Sequence, residues 1–374
     1  MALRRVAIVA GGRTPFVKAG RAFAELGPLR LATHAVRELV ASTGVDPAGI
    51  DAIVLGAVLP EPGKPNLARE VVFEAGLPRS IEAQTISSYC ISGLRAVTAV
   101  AEAIAVGRVE AGIAGGTEWL SGARSPSFFQ EPTTGLSMGQ HTELTAREWG
   151  IPRERQDEVA LASHRRAVAA RRRLAEPIFP LAGVERDTGP REDTSPEALA
   201  ALAPAFDAEG TLTAGNSSPV TDGASAVLLM SEERARSEGL TPLAFLRATQ
   251  YAAIDPREGL LMAPAVAVPR LLERTGLELP RLDLLEIHEA FAAQVLANAL
   301  AWERGWKGAP TGPVDWERVN VNGGSVALGH PWAATGGRLV AGLASELARR
   351  DASLGLISIC AAGALAGAAI LERS

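Results

Sequence analysis

The reactive side chains of this sequence are few, and they fall in short blocks rich in small residues. Cys90 sits in SYCISGLRA, residues 88–96, between a β-like run and a helix-like run. A free cysteine is most often a buried, inert small hydrophobe. At a helix start, however, backbone N–H groups favour the thiolate, which is a nucleophile at neutral pH. Ser88, Ser92 and Gly93 keep the turn small and open to a ligand, so both readings of Cys90 stand. His330 lies in GHPWAATGG, residues 329–337, held by Pro331 ahead of a new helix. Loops on a rigid scaffold carry a disproportionate share of catalytic groups, and this histidine is a candidate general base.

Two further blocks are less decisive. HEAFAAQ, residues 288–294, follows the strand-like LDLLEI. A zinc-protease helix would need a second histidine at 292, which is Ala, so no metal site is expected. His288 and Glu289 are then either a plain helix start or groups aimed at a pocket. Cys360, in ISICAAGALAG, ends a strand among small residues and by itself reads as a core cysteine. GGRTP, residues 11–15, lacks the GxGxxG spacing of a dinucleotide site, and no P-loop pattern occurs.

The elements that must position these groups alternate between apolar strand-like runs and longer helical patterns, the signature of an α/β fold. RRVAIVAG (4–11) and AIVLGAV (52–58) read as strands, with an amphipathic helix from Leu29 to Thr43 between them. After Cys90, GLRAVTAVAEAIAVG is helical up to Gly107, and VEAGIAGG follows as a strand. Residues 120 to 210, rich in Pro, Arg and Glu, read as an insertion, after which TDGASAVLLMS (221–231) rejoins the first sheet. The C-terminal part then repeats the plan. LAFLRATQ matches the first strand and LDLLEI the second. VNVNGGSVALGHPWAATGGRLVAGLASELA matches the strand–turn–helix around Cys90, and LGLISICAAG matches GIAGGTEW. The expected division is 1–119 with 210–240 as one half, 120–209 as the insertion, and 241–374 as the second half.

Bulk properties exclude several classes. A net charge of -5 offers no footprint for a polyanion, so no nucleic-acid partner is expected. Two cysteines make neither a disulfide framework nor a zinc site, which suits a reducing cytoplasm. The apolar run in MALRRVAIVAGGRTPF is too short for a signal segment. From Ala352 to Leu371 no charge appears, but Gly355, Gly363 and Gly367 interrupt the run. Two buried strands joined by a glycine turn are expected there, not a membrane helix.

Together, Cys90 in YCISGLRA, His288 in HEAFA, His330 in GGSVALGHP and Cys360 in CAAGALAG resemble the thiolase family in order and spacing. RTPF near the start, MGQ at 138–140 and NSSPVTDGASA at 216–226 agree, so the resemblance spans essentially the whole chain. HEAFA, where biosynthetic members carry NEAFA, is similar to the 3-ketoacyl-CoA thiolases that form the β subunit of fatty-acid oxidation complexes. The resemblance implies duplicated α/β halves packed as a layered αβαβα core, with an inserted CoA-binding loop domain. It implies cleavage of a 3-ketoacyl-CoA by coenzyme A as co-substrate, with no permanently bound cofactor.

In that chemistry Cys90 would carry the acyl group and His330 would activate Cys90 and then the incoming thiol. Cys360 would protonate the departing enolate, whose oxygen His288 and His330 would hold, directly or through water. Backbone amides at Cys90 and after Cys360 would hold the tetrahedral oxyanion. Ser218 would meet the pantetheine arm and Met138 would line the acyl pocket. Arg165, Arg166, Arg171, Arg172 and Arg173 are candidates for the CoA phosphates, against the plainer reading of a solvated helix face. Ala362 and Ala364 replace family glycines, and His141 stands where threonine is usual; these departures bear on substrate range, the Ala364 methyl by narrowing the site. The alternatives are a biosynthetic acetoacetyl-CoA thiolase, against which His288 counts, and a thiolase-like acyl-CoA-binding protein without catalysis. A cysteine hydrolase would leave Cys360 unexplained. The family likeness further implies a homodimer or homotetramer, and the β-subunit likeness a partner with hydratase and dehydrogenase activities.

Overall fold

A computed structural model describes residues 3–59, 61–123, 130–171 and 177–373; Arg172 and Arg173 lie outside the described residues. The described strands are β1 (Val6–Arg13), β2 (Val17–Lys18), β3 (Ala52–Gly56), β4 (Glu82–Ile86), β5 (Ala111–Glu118) and β6 (Thr221–Ser231). The second part adds β7 (Ala244–Ala253), β8 (Leu284–Ile287), β9 (Leu354–Ala361) and β10 (Leu365–Glu372). They hydrogen-bond in the order β4-β3-β5-β6-β1-β7-β10-β9-β8, with β2 on β6.

Successive side chains of a strand point to opposite faces, and here both faces are apolar. Val6, Ile8, Val54, Val227 and Leu229 enter a central core, while Ala7, Val9, Ile53, Leu55, Leu228 and Met230 enter an outer one. In the second part Ile357, Ile359 and Leu371 join that same central core, and Leu285, Leu356 and Ile370 pack into a third. The central core also takes the apolar faces of two helices, Ser92–Ala105 and Trp332–Arg350. The outer cores are closed by helices Gly27–Thr43 and Leu67–Glu74 on one side and Pro264–Thr275 and Ala292–Arg304 on the other. The result is five layers, αβαβα. The two half-sheets join where β1 pairs antiparallel with β7, in the register Ala7↔Phe245 and Ile8↔Ala244.

The two halves share one plan. In the first, β3 runs parallel to β4 and β5, and β6 is antiparallel to β5 and β1. In the second, β8 runs parallel to β9, and β10 is antiparallel to β9 and β7. A parallel bridge between Leu285 and Val319 stands where β4 stands in the first half. The uncharged C-terminal stretch is the β9–β10 hairpin, and no described helix is long and apolar enough to cross a membrane. Small boundary differences have local causes: the first helix starts at Gly27 rather than Leu29, because Pro28 fits the first turn of a helix without losing a hydrogen bond.

The segment between β5 and β6 contributes helices Met138–Glu148, Arg153–Ala170 and Pro196–Ala200. Buried polar pairs pin it to the rest of the chain. The Arg13 guanidinium of RTPF donates to both oxygens of Asp187 at 2.6 and 2.8 Å, and the Phe16 amide donates to the same carboxylate at 2.7 Å. Removing one partner of such a pair costs about 3–5 kcal/mol. RTPF is thus a structural latch on the insertion.

Candidate active site

Two helix starts converge in the central layer. A Cβ added at Gly93 would lie 2.3 Å from the Ala333 carbonyl oxygen, and one at Gly336 would lie 2.2 Å from the Leu94 nitrogen. Only glycine allows the two backbones to cross this closely. Cys90 precedes the first residue of one helix by two positions, and His330 precedes the other by two. The crossing therefore brings Cys90 Sγ to 3.1 Å from His330 Nε2.

Each group is held by its own turn. Tyr89 adopts φ 50°, a left-handed conformation that side chains rarely take. Ser92 secures it: its Oγ accepts from the Ser88 amide at 2.7 Å and donates to the Tyr89 carbonyl at 2.5 Å. His330 is fixed by its amide on the Pro219 carbonyl and by Nδ1 on Thr335 Oγ1 at 2.7 Å. With Thr335 accepting from Nδ1–H, the Nε2 lone pair faces the thiol.

The electrostatics correct one expectation. The helix start does not hold Cys90 as a thiolate, because burial dominates and pushes the thiol up to about 12. The amides of Ala362 and of Cys90 itself face the sulfur and act the other way, while Glu118 reinforces the rise. Burial, with the Arg338 charge, lowers His330 to about 3. Both shifts favour a neutral thiol against a neutral imidazole at rest. Cys360, at the end of β9, is buried among Leu260, Leu261 and Ala364. Its pKa is raised by burial and by the nearby Cys90 sulfur, and it has no side-chain hydrogen-bond partner among the described residues.

Cys90, His330 and Cys360 line one cavity of about 490 Å³, together with Met138, Ser218, Phe206, Leu261 and Phe291. Its lining is largely apolar, and the insertion supplies one wall through Met138 and Phe206. The segment 216–220 threads the site: Ser218 N donates to the Ala290 carbonyl at 2.9 Å, and Val220 bridges to His330. His288 is fully buried against His330, with ring centroids 4.1 Å apart. The neighbouring Glu289 is not a simple cap. It accepts from Ser163 Oγ at 2.8 Å, Asn320 Nδ2 at 2.6 Å and the Val326 amide at 3.1 Å, fixing the 320–326 turn that leads to His330.

Other expectations change. Arg166 donates to the carbonyls of Val319 (2.6 Å) and Trp316 (2.9 Å), which withdraws it from phosphate recognition; Arg165 is exposed. Arg171 is engaged by the Pro190 carbonyl and Glu192. His141 does not line the cavity; it is buried, with Nε2 on Thr134 Oγ1 at 2.7 Å. The Ala364 methyl lies behind Cys360 and is likewise absent from the lining, so it does not narrow the site.

Several contributors escape sequence reasoning. Glu118 accepts amides of Val58, Leu59 and Ala333, tying the end of β5 to the start of the His330 helix, and burial raises it to about 7. Thr335, Ser325 and Arg338 stand inside the block around His330, but nothing in their spacing marks them as partners of the histidines.

A thiol beside a neutral imidazole, facing a second thiol without a base of its own, is the equipment of cysteine-dependent acyl transfer. Comparison with known proteins gives the family. Residues 6–233 match the thiolase N-terminal domain and residues 240–373 the thiolase C-terminal domain, so the chain belongs to the thiolase family. It is 39% identical to the 3-ketoacyl-CoA thiolase of Shewanella piezotolerans, over 98% of this chain and 97% of that one. The crystal structure of Bacillus anthracis acetyl-CoA acetyltransferase superposes with a TM-score of 0.91 at 34% identity, covering 99% of each chain. That of human mitochondrial 3-ketoacyl-CoA thiolase in complex with CoA does so at 0.91 and 32%, covering 100% of this chain and 99% of the other.

Proposed function

We propose that this chain cleaves a 3-ketoacyl-CoA with coenzyme A, giving acetyl-CoA and a shortened acyl-CoA. The observation that carries this reading is the meeting of Cys90, His330 and Cys360 at one cavity, with Nε2 at 3.1 Å from the nucleophilic sulfur. His330 Nε2 takes the Cys90 proton as the sulfur bonds to C3 of the substrate. Cys90 has a high thiol pKa, so it needs this base at the moment of attack. The C3 oxyanion is held by the amides of Cys90 and Ala362, which face that sulfur. The C2–C3 bond then breaks, its electron pair passing into the enolate of acetyl-CoA, and Cys360 gives its proton to C2. His288, fully buried behind His330 and not itself on the cavity lining, supplies the donor for the enolate oxygen, directly or through water.

The imidazolium proton returns to the Cys360 sulfur, and acetyl-CoA leaves. His330 next takes the proton of the incoming CoA thiol, whose sulfur attacks the acyl-Cys90 carbonyl. Cys90 departs and recovers that proton, so each group ends as it began. The insertion contributes Met138 and Phe206 to the cavity wall and Ser218 follows it there, which supports a role of the insertion in holding the CoA thioester, with Arg165 as the remaining described candidate for a phosphate. The exposed edge strand β4 suits pairing with a second copy, which supports a homodimer.

The test follows thioester absorbance with acetoacetyl-CoA and with a longer 3-ketoacyl-CoA, each with and without free CoA. CoA-dependent cleavage is expected, together with loss of at least about four orders of magnitude in Cys90→Ala. Hydrolysis without CoA, or binding without turnover, would overturn the reading.

A further inference from the structure

His288 Nδ1 lies 2.9 Å from Ser325 Oγ, and Ser325 Oγ accepts from Arg338 Nη2 at 3.0 Å. Arg338 in turn faces Glu286, with Nη1 3.6 Å from Oε2. All four side chains are buried: His288 and Ser325 at 0%, Arg338 at 3% and Glu286 at 7% exposure. Glu286 lies in β8, two residues before His288, while Ser325 and Arg338 come from the segment around His330. Arginine only donates, so one lone pair of Ser325 Oγ is taken and its single hydrogen is free to turn toward Nδ1. His288 Nε2 is buried with no hydrogen-bond partner among the described residues.

From this geometry we infer that Glu286, Arg338 and Ser325 form a positioning relay that fixes His288 as the Nε2–H tautomer, keeping a proton donor beside His330. The inference rests on the role given above to His288, and it adds which tautomer acts and what sets it. An imidazole free to turn over would present a lone pair in half of its states, and a lone pair repels an enolate oxygen. The relay removes that ambiguity by supplying the hydrogen at Nδ1 from outside. Arg338 and Ser325 touch no substrate in this scheme; they act through His288. Burial chiefly keeps the imidazole neutral, and His330 and the Arg338 charge, two hydrogen bonds away, act in the same direction.

The chain has five histidines, so selective 15N-histidine labelling gives few signals to assign, with His288→Asn identifying the one at issue. The expected spectrum of the resting protein shows His288 protonated at Nε2 and bare at Nδ1. Protonation at Nδ1 would overturn the relay, whatever the protein catalyses. In the absorbance assay, Ser325→Ala should lower kcat on the order of ten- to hundredfold with KM for the thioester within about twofold, and Ser325→Thr should restore most of it. In a His288→Asn background the same Ser325→Ala change should alter kcat by less than about twofold, because the two act as a unit. Equal losses in both backgrounds would assign Ser325 a general structural role and sink the inference. A protein with no thiolysis at all would instead defeat the function proposed above, and the tautomer spectrum would still decide the relay.

Discussion

The two halves of the molecule share strand order, helix placement and connection, yet their equivalent positions do different work. At the helix starts, the first half places Cys90 and the second His330. At the strand ends, β5 finishes in Glu118 and β9 finishes one residue after Cys360. Glu118 is fully occupied by the amides of Val58, Leu59 and Ala333. Cys360 has no carboxylate or amide scaffold of that kind: the Cys90 sulfur, backbone and apolar side chains surround it. A duplicated framework offers symmetric places near its centre, but one reaction needs unlike groups there. In the reaction proposed here, the first half supplies the nucleophile and a scaffold carboxylate, and the second the base, the acid and His288. The difference between the halves is therefore one of chemistry laid over common packing.

Substitution should separate these assignments most sharply at His330 and Cys360. Loss of a general acid or base costs about 10²–10⁴ in rate. His330→Ala should lose both C–C cleavage and the exchange of acyl groups between Cys90 and labelled CoA. Cys360→Ala should lose cleavage by that factor while keeping acyl exchange, since only carbon protonation needs the second thiol. Equal loss of both reactions in the two variants would erase the distinction between them.

The resting charge of the pair is a second point of attack. With the Cys90 thiol raised to about 12 and His330 lowered to about 3, neither group ionises alone between those values. The thiolate fraction then climbs about tenfold per pH unit, so iodoacetamide alkylation of Cys90 should rise steadily from pH 6 to pH 10. A plateau near neutrality would mean a thiolate–imidazolium pair at rest and would reverse the order of proton transfer.

Most of this frame is legible in the sequence because its signals are local. Continuous apolar runs mark β6 and the β9–β10 hairpin, and the second half can be recognised as a repeat because its strands return in the same order. The four reactive residues stand out because each lies in a block of small residues where backbones meet. What the sequence hides is set by three-dimensional crossing. Gly93 and Gly336 look like ordinary helix glycines until the helices touch. Arg166 looks like a phosphate ligand until the 316–319 carbonyls are seen beside it. The state of Cys90 depends on burial, which a helix-start argument does not register.

Glu118→Gln tests the scaffold half of the comparison. The glutamine keeps one carbonyl oxygen but turns an NH2 group toward amides that themselves donate. Leaving buried donors unsatisfied costs about 1–3 kcal/mol each. One such loss should appear as a lower urea midpoint, with a smaller fall in kcat because Ala333 lies in the first turn of the helix that carries Thr335. An unchanged midpoint would mean that the carboxylate is not a structural tie, and that Glu118 belongs with the reacting groups.

The smallest effect is expected at Ala364, in the turn between β9 and β10. Its φ of 53° is left-handed, which costs a non-glycine residue about 1–2 kcal/mol. Its methyl is fully buried against Leu260, Leu261 and Cys360, which returns about 0.8 kcal/mol. Glycine would relieve the strain, forfeit the burial and add about 0.5–1 kcal/mol of chain entropy to the unfolded state. These contributions nearly cancel, so Ala364→Gly should move stability by less than about 1 kcal/mol in urea denaturation. Because the methyl sits behind Cys360 and not on the cavity wall, the ratio of activities on short and long 3-ketoacyl-CoA substrates should stay constant. A broadened chain-length profile in this variant would show that the turn, and with it the sulfur of Cys360, shifts when the methyl is removed; the packing behind the acid would then control substrate range as well as proton transfer.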